Sequence, residues 1–508
     1  MPSLWQTTTN PYRNSGVSTQ DRYDVIIAGA GITGITLGLL LQKAGKRCVI
    51  LEARTVGFGT TGGSTAHLNT LLDVPYTTLI KHFGKENAAN VAAATKSAIE
   101  LFRDNVKAYD IDCGFEEQAG YLFSQNDSQT RELDDIFNAC REVGVEPSYV
   151  DQMPIDLPFE KVIRVNGQAK IHPLRYVNAL AEEFVRLGGD IIENCRVISA
   201  HKGEEKEEVS VETSGGNFEA SYMVFATHIP TGVNLLHLRC SPYRSYAMSV
   251  KLTDDQYPDG LFYDMYDPYH YYRTQVIDGD KFLIVGGEDH RTGDESNTNG
   301  CFLKLESHIR SHFNVKEITN RWSSQYFEPA DGLPYIGHLP GNPENVLVAT
   351  GYGGNGITYS HVAALGLKSM ILQQESPYES LFTPGRLKPV AGFTEFVKHN
   401  MEVVNAMVGG WLGQDQLPEL AALGAGEAKV VKYEKESIAL YKDEDHVLHA
   451  VNPTCTHLKC SVNWNAAEKS WDCPCHGARY SIDGKVLTGP ATKDLEPVEI
   501  REIEKEHS

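Results

Sequence analysis

Basic residues are in deficit: 46 Lys+Arg stand against 67 Asp+Glu, a formal net charge of −21 over 508 residues. That balance excludes the basic footprint a nucleic-acid binder needs and disfavours anionic membrane surfaces. No apolar run approaches the ~20 residues of a membrane span. The opening stretch, MPSLWQTTTNPYRNSGVSTQ, has neither a basic head nor an apolar segment, so no secretory signal is expected and the cytoplasm is the expected location. Cysteine is scarce too. Ten in the whole chain are too few for a disulfide scaffold, but Cys455, Cys460, Cys473 and Cys475 crowd into one short stretch, which points to a local metal or redox site. At roughly 150 residues per domain, the length suggests about three units.

Asp24 to Ala28 is a short β-rich run that leads into Gly29-Ala30-Gly31-Ile32-Thr33-Gly34. An apolar helix follows to about Ala44, with Gly45 as its cap, and Cys48 to Leu51 forms a second buried strand ending at Glu52. This is the strand, glycine turn, helix, strand and acid of a dinucleotide fold. The glycines let backbone approach a pyrophosphate, the helix N-terminus supplies partial positive charge, and Glu52 accepts from ribose hydroxyls. A glycine- and hydroxyl-rich loop, Gly57 to His67, follows and suits a second phosphate and a flat ring.

With that loop, the chain resembles the glycine oxidase/D-amino-acid oxidase superfamily of flavoproteins. Further matches come in the family's order: the helix starting at His172, the strand near Val197, the strand Ser221 to His228, then Asp331 to Gly337 and Val346 to Thr358. The resemblance spans about residues 22–375. It implies FAD, held by Gly29, Gly31, Gly34, Glu52, Ala53, Ser64, Thr65, His67, Val197, Asp331, Gly351, Gly354, Asn355, Gly356 and Ile357. The last glycine turn would set a helix N-terminus at the flavin's pyrimidine edge, where its dipole stabilises the anionic reduced ring. Some relatives attach FAD covalently to a histidine in the position of His67; a non-covalent neighbour is the other reading. Residues 75–170 and 235–325 are expected to face substrate. There the resemblance suggests an Arg against a substrate carboxylate. Arg273 is the candidate, with Tyr246 and Tyr272 as cavity walls and His290 or Arg291 in reserve; a surface or domain-bridging salt bridge is the alternative for Arg273.

Cys455-Thr456-His457 and Cys473-Pro474-Cys475-His476 each supply one thiolate and one imidazole. Mixed loops of this kind fit a Rieske [2Fe–2S] cluster, with Cys455 and Cys473 on one iron and His457 and His476 on the other; neutral imidazoles raise its potential. Zinc fingers pair like with like along the chain, which disfavours zinc. Cys460 and Cys475 match the pair that forms a loop-bridging disulfide in respiratory-type Rieske proteins; two buried free thiols are the alternative.

The expected fold class is an α/β FAD-binding domain (Rossmann-like, glutathione-reductase type) with an interleaved α+β substrate domain, over 22–380. A linker over 381–425 carries an amphipathic helix from Phe393 to Trp411, and a small all-β Rieske domain occupies 426–508. Together the two cofactors imply dehydrogenation of an amine or amino acid, with electrons passed singly from flavin to cluster and on to an external acceptor. Two alternatives are a reductase running from cluster to flavin and a plain oxidase with a structural cluster.

Overall fold

The computed structural model describes residues 1–13, 22–203, 208–386, 415–416, 423–433 and 436–499. The connecting helix expected from Phe393 to Trp411 lies outside them.

Tyr23–Ala28 sits at the centre of an eight-stranded sheet, pairing in parallel with Gly216–Phe225 on one side and Cys48–Leu51 on the other. The sheet continues to Val346–Thr350 and Asp190–Ile192, so strands far apart in sequence close around the first one. Both faces are covered, and the four residues of Cys48–Leu51 are all buried. Helix Ile32–Lys43 is apolar nearly all round and packs against helices Pro173–Arg186 and Gly356–Ile371, as a fully enclosed helix should. Gly38 permits a close approach: a Cβ there would stand 2.9 Å from Ile50 and 3.2 Å from Phe184.

A nine-stranded sheet forms the second layer, built from Glu116–Ser124, Lys161–Lys170 and the long strands between Cys240 and Pro329, with His67–Leu68 at its edge. Helix Thr298–His312 covers one of its faces and encloses a core that includes Tyr246, Tyr272, Phe302 and Leu305.

Two four-stranded sheets make the remaining unit. Asp415–Gln416 pairs in parallel with Val431–Lys432, so this unit begins ahead of the boundary expected at 426. The second sheet runs Asn463–Asn465, Ser470–Asp472, Arg479–Tyr480 and Val486–Thr488, with the two cysteine–histidine loops beside it. Among the described residues, no helix is long and apolar enough to cross a membrane.

Candidate active site and cluster site

A cavity of about 460 Å³ runs between the two large sheets. Gly29, Gly31, Glu52, Ala53 and Val197 line one part of it, and Gly353 to Ile357 another. At Gly29 φ is +101°, and a Cβ would stand 2.6 Å from the Ala226 carbonyl oxygen, so a side chain is excluded on both counts. Gly34 is behind the wall: its Cβ would collide with the Gly29 carbonyl at 1.9 Å, so this glycine serves the tight turn and not the cavity surface. Glu52 braces the same turn. Its carboxylate accepts from Ala30 N and Arg54 N, each at 2.8 Å, and burial raises its pKa against the pull of those two bonds.

The loop with Ser64, Thr65 and His67 lines the middle of the cavity, and the chain's first residues hold it there. Ser3 Oγ donates to Gly62 O at 2.5 Å and Trp5 Nε1 to Ser64 O at 2.6 Å. His67 lies against Tyr263, with 2.8 Å between Nδ1 and the phenol oxygen, and its Nε2 is buried without a hydrogen-bond partner. Burial, reinforced by Arg273 and Lys170, holds its pKa well below the usual value, so the ring is neutral.

Two carboxylates that sequence reasoning missed share this cavity with Tyr263, Tyr269, Tyr271 and Tyr326. Asp73 accepts from Asn355 Nδ2 at 3.1 Å and Tyr269 OH at 3.3 Å. Asp289 accepts from Tyr326 OH at 2.9 Å. Burial raises both pKa values; the Asp73 charge adds to the effect at Asp289, which is pushed up to about 7.

The residues expected to meet substrate lie elsewhere. Arg273 is fully buried, but its guanidinium donates to Ala66 O at 2.6 Å, to Ile171 O at 3.1 Å and to Gln275 Oε1. Those acceptors engage both terminal nitrogens, Nε is buried without a hydrogen-bond partner, and Arg273 is not among the residues lining the cavity, so the guanidinium braces backbone where a contact with substrate or a domain-bridging ion pair was expected. Tyr246 pairs with His290 at 2.9 Å and Tyr272 with His308 at 2.6 Å, both on the opposite face of the sheet from the cavity. The strand period explains this: their neighbours Ser245 and Tyr271 point into the cavity, and the next residue along points away. Asp331 and Gly351 are also outside the lining. Asp331 forms a two-pronged bond with Arg386 at 2.7 and 2.8 Å, and Gly351 packs on Cys240 and Pro329. Val197, Gly354, Asn355, Gly356 and Ile357 do line the cavity.

In the last unit the two loops converge. Cys455, Cys473 and His476 are buried, and the His457 and His476 ring centroids are 5.0 Å apart. A hydrogen bond from Cys473 holds the Cys455 thiol below its ordinary pKa, and Tyr480 OH stands 3.2 Å from its Sγ. His457 Nε2 donates to the Gly232 carbonyl at 3.1 Å, while its Nδ1 is buried without a hydrogen-bond partner. That pattern fixes the neutral tautomer whose free lone pair is on Nδ1, as an iron ligand requires. The donor set of two thiols and two imidazoles therefore fits a Rieske cluster. Cys460 and Cys475 are joined by a disulfide between the loops.

Residues 24–368 match the family model for FAD-dependent oxidoreductases, and residues 415–499 the model for Rieske [2Fe–2S] domains. The chain belongs to the FAD-dependent oxidoreductase family. It is similar to a Bacillus subtilis (strain 168) protein described as the Rieske 2Fe-2S iron-sulfur protein YhfW, 33% identical over 98% of this chain and 97% of the relative. Gamma-glutamylputrescine oxidoreductase of Escherichia coli (strain K12) is 22% identical over 67% of this chain and 81% of its own length. Among solved structures, glycine oxidase from Geobacillus kaustophilus superposes with a TM-score of 0.61 at 20% identity, covering 72% of this chain and all of the other, a likeness of fold. This oxidoreductase thus takes FAD and a [2Fe–2S] cluster as cofactors. Its Rieske unit also closes the dinucleotide cavity, since Glu468, Arg479, Thr488 and Gly489 belong to the cavity wall.

Proposed function

We propose that this oxidoreductase dehydrogenates an amine or amino acid in the cytoplasm and hands the electrons one at a time to its Rieske cluster, then to an external one-electron acceptor. The observation that carries the reading is the shared wall: residues of the Rieske unit, Glu468, Arg479, Thr488 and Gly489, line the same cavity as the glycine turn. The domain division at 22–380, 381–425 and 426–508, with the second unit reaching back to 415, is part of this reading.

When bound, FAD supplies a two-electron acceptor and the cluster a one-electron relay. The residues would divide the work as follows. Gly29, Gly31 and the N-terminus of the Ile32 helix would hold the pyrophosphate, and Glu52, with lone pairs left after its two backbone bonds, the ribose. Ala53, Ser64, Thr65 and Val197 would pack along the nucleotide. Gly354 to Ile357 would present backbone N–H groups to the flavin, and His67 would stand beside the ring as a neutral neighbour. Cys455, Cys473, His457 and His476 would ligate the irons.

Asp73 and Asp289, with the hydroxyls of Tyr269, Tyr271 and Tyr326, would orient the substrate nitrogen. The carbon next to that nitrogen loses a hydride and the nitrogen a proton. Water then converts the imine to a carbonyl compound and ammonia or an amine. Two electrons leave, in two single steps, for each substrate oxidised.

Anaerobic mixing of the holoenzyme with a panel of amines and amino acids tests the reading. Flavin bleaching followed by reduction of the cluster is expected. No bleaching with any amine, together with rapid cluster reduction by a reduced ferredoxin, would reverse the direction. In a separate assay under air, stoichiometric peroxide that persists in His476→Ala would make the cluster a bystander.

A further inference from the structure

We propose that the imidazole face of the Rieske site is a docking face held by the flavin unit, with Gln325 the positioning residue that joins the two redox sites. This inference rests on the reading that electrons pass between flavin and cluster, in either direction.

Both ligand loops are engaged. In the first, His457 Nε2 donates to Gly232 O, and the His237 ring packs edge-on against His457 at 4.6 Å and lies 5.7 Å from His476. His237 is itself fixed by a 3.0 Å contact from Nε2 to the Pro230 carbonyl. In the second loop, backbone meets the flavin unit with no room to spare. A Cβ on Gly477 would stand 2.6 Å from Gln325 Nε2 and 2.8 Å from Pro242 Cβ; one on Gly293 would stand 2.8 Å from Pro474 Cβ. Gly477 and Gly293, at φ +72° and +82°, are therefore required by the fit of one unit on the other as well as by their own conformation.

Gln325 stands where these contacts meet the cavity. Its Nε2 donates to Gly477 O at 3.0 Å, on the residue directly after His476. Its Oε1 accepts from Thr292 at 3.3 Å, its backbone oxygen accepts from Thr60 at 3.1 Å, and it is part of the cavity wall. One side chain thus spans from the flavin cavity to the backbone beside a cluster ligand. Each transfer moves one electron between a reduced flavin and a ferric iron, or the reverse; over the two transfers that reoxidise the flavin, its N–H proton passes to water. While the units are docked, His476 is buried and His457 half-buried under Gly232 and His237, so an external protein would exchange electrons chiefly through another face of the Rieske unit.

The test uses the anaerobic holoenzyme with its flavin photoreduced by light and EDTA, and follows the cluster's absorbance. Cluster reduction is expected to be first-order and independent of protein concentration. Gln325→Met, which keeps the volume and removes the donor, and Gly293→Ala, which wedges the loop away, are each expected to slow that phase about ten-fold. The cluster's EPR signature should stay unchanged, and hydrogen exchange across residues 229–243 should rise in Gly293→Ala. A rate that scales with protein concentration, or an unchanged rate in both variants, would overturn the proposal. Photoreduction needs no substrate, so failure of the amine reading would leave this result standing.

Discussion

Arg244 and Glu468 form an ion pair across the boundary between the flavin and Rieske units, 3.0 Å from guanidinium to carboxylate, with the arginine side chain 1% exposed and the glutamate 12%. Arg479 holds the same carboxylate from the Rieske side. Burial alone would raise the Glu468 pKa, but Arg244 and Arg479 hold it down to about 2. Removing one partner of a buried pair leaves the others uncompensated, at a cost of about 3–5 kcal/mol. Glu468→Ala is therefore expected to lower the thermal midpoint sharply and to separate the unfolding of the two units in calorimetry. A single transition at the wild-type temperature would show that the pair does not hold the units together.

The same pair sets a pH window. A carboxyl with a depressed folded-state pKa contributes stability that is fully present above the unfolded value, about 4.3, and is lost as pH falls through about 2. Docking by this pair should be constant from neutral pH down to about 5, then weaken on further acidification. Thermal unfolding of wild type and Glu468→Gln across pH 3–7 checks the sign: the gap between them should close on the acid side.

Asp289 works in the opposite sense. Its pKa is raised to about 7, so the folded state binds the proton more tightly than the unfolded chain does. Stability is lost as pH rises from the unfolded value, about 3.9, through 7. Asp289→Asn should accordingly be more stable than wild type at pH 8 and equal to it at pH 4. If the carboxylate orients a substrate nitrogen, the same variant should raise KM about ten-fold or more, the loss of one charge-assisted hydrogen bond. A variant that gains stability without a change in KM would leave Asp289 as a strained wall residue only.

Local patterns carried the features legible in the sequence. The glycine turn, its helix and Glu52 are contiguous, and the cluster loops identify themselves by spacing, so both could be read without knowing what lies opposite. The substrate wall could not. Ser245 and Tyr271 face the cavity while Tyr246 and Tyr272, one residue on, face the core under helix Thr298–His312, and tyrosine-rich strands do not reveal which parity is buried where. Asp73 and Asp289 meet only through the fold, one following the His67 loop and the other near the end of a strand. The docking of the units was equally invisible, because Gly232, Gly293 and Gln325 come from three separate segments and show no motif. Gly477 stands directly after His476 in the sequence, but its positive φ and the lack of space for a Cβ against Gln325 and Pro242 appear only in the fold.

Arg273 distinguishes an anchor for structure from one for substrate. Its guanidinium donates to the carbonyls of Ala66 and Ile171, which belong to the loop beside His67 and the segment before the His172 helix. Replacing it with methionine keeps much of the volume and strands both acceptors in a buried setting, at about 1–3 kcal/mol each. Arg273→Met is therefore expected to lose several degrees in thermal midpoint and to bind FAD less tightly, because the loop carrying Ser64, Thr65 and His67 loses its brace. Discrimination between amines and the matching amino acids should not change, since Arg273 is not among the residues that line the cavity. A selective rise in KM for the carboxylate-bearing substrates, with FAD binding intact, would restore Arg273 to the role the sequence suggested.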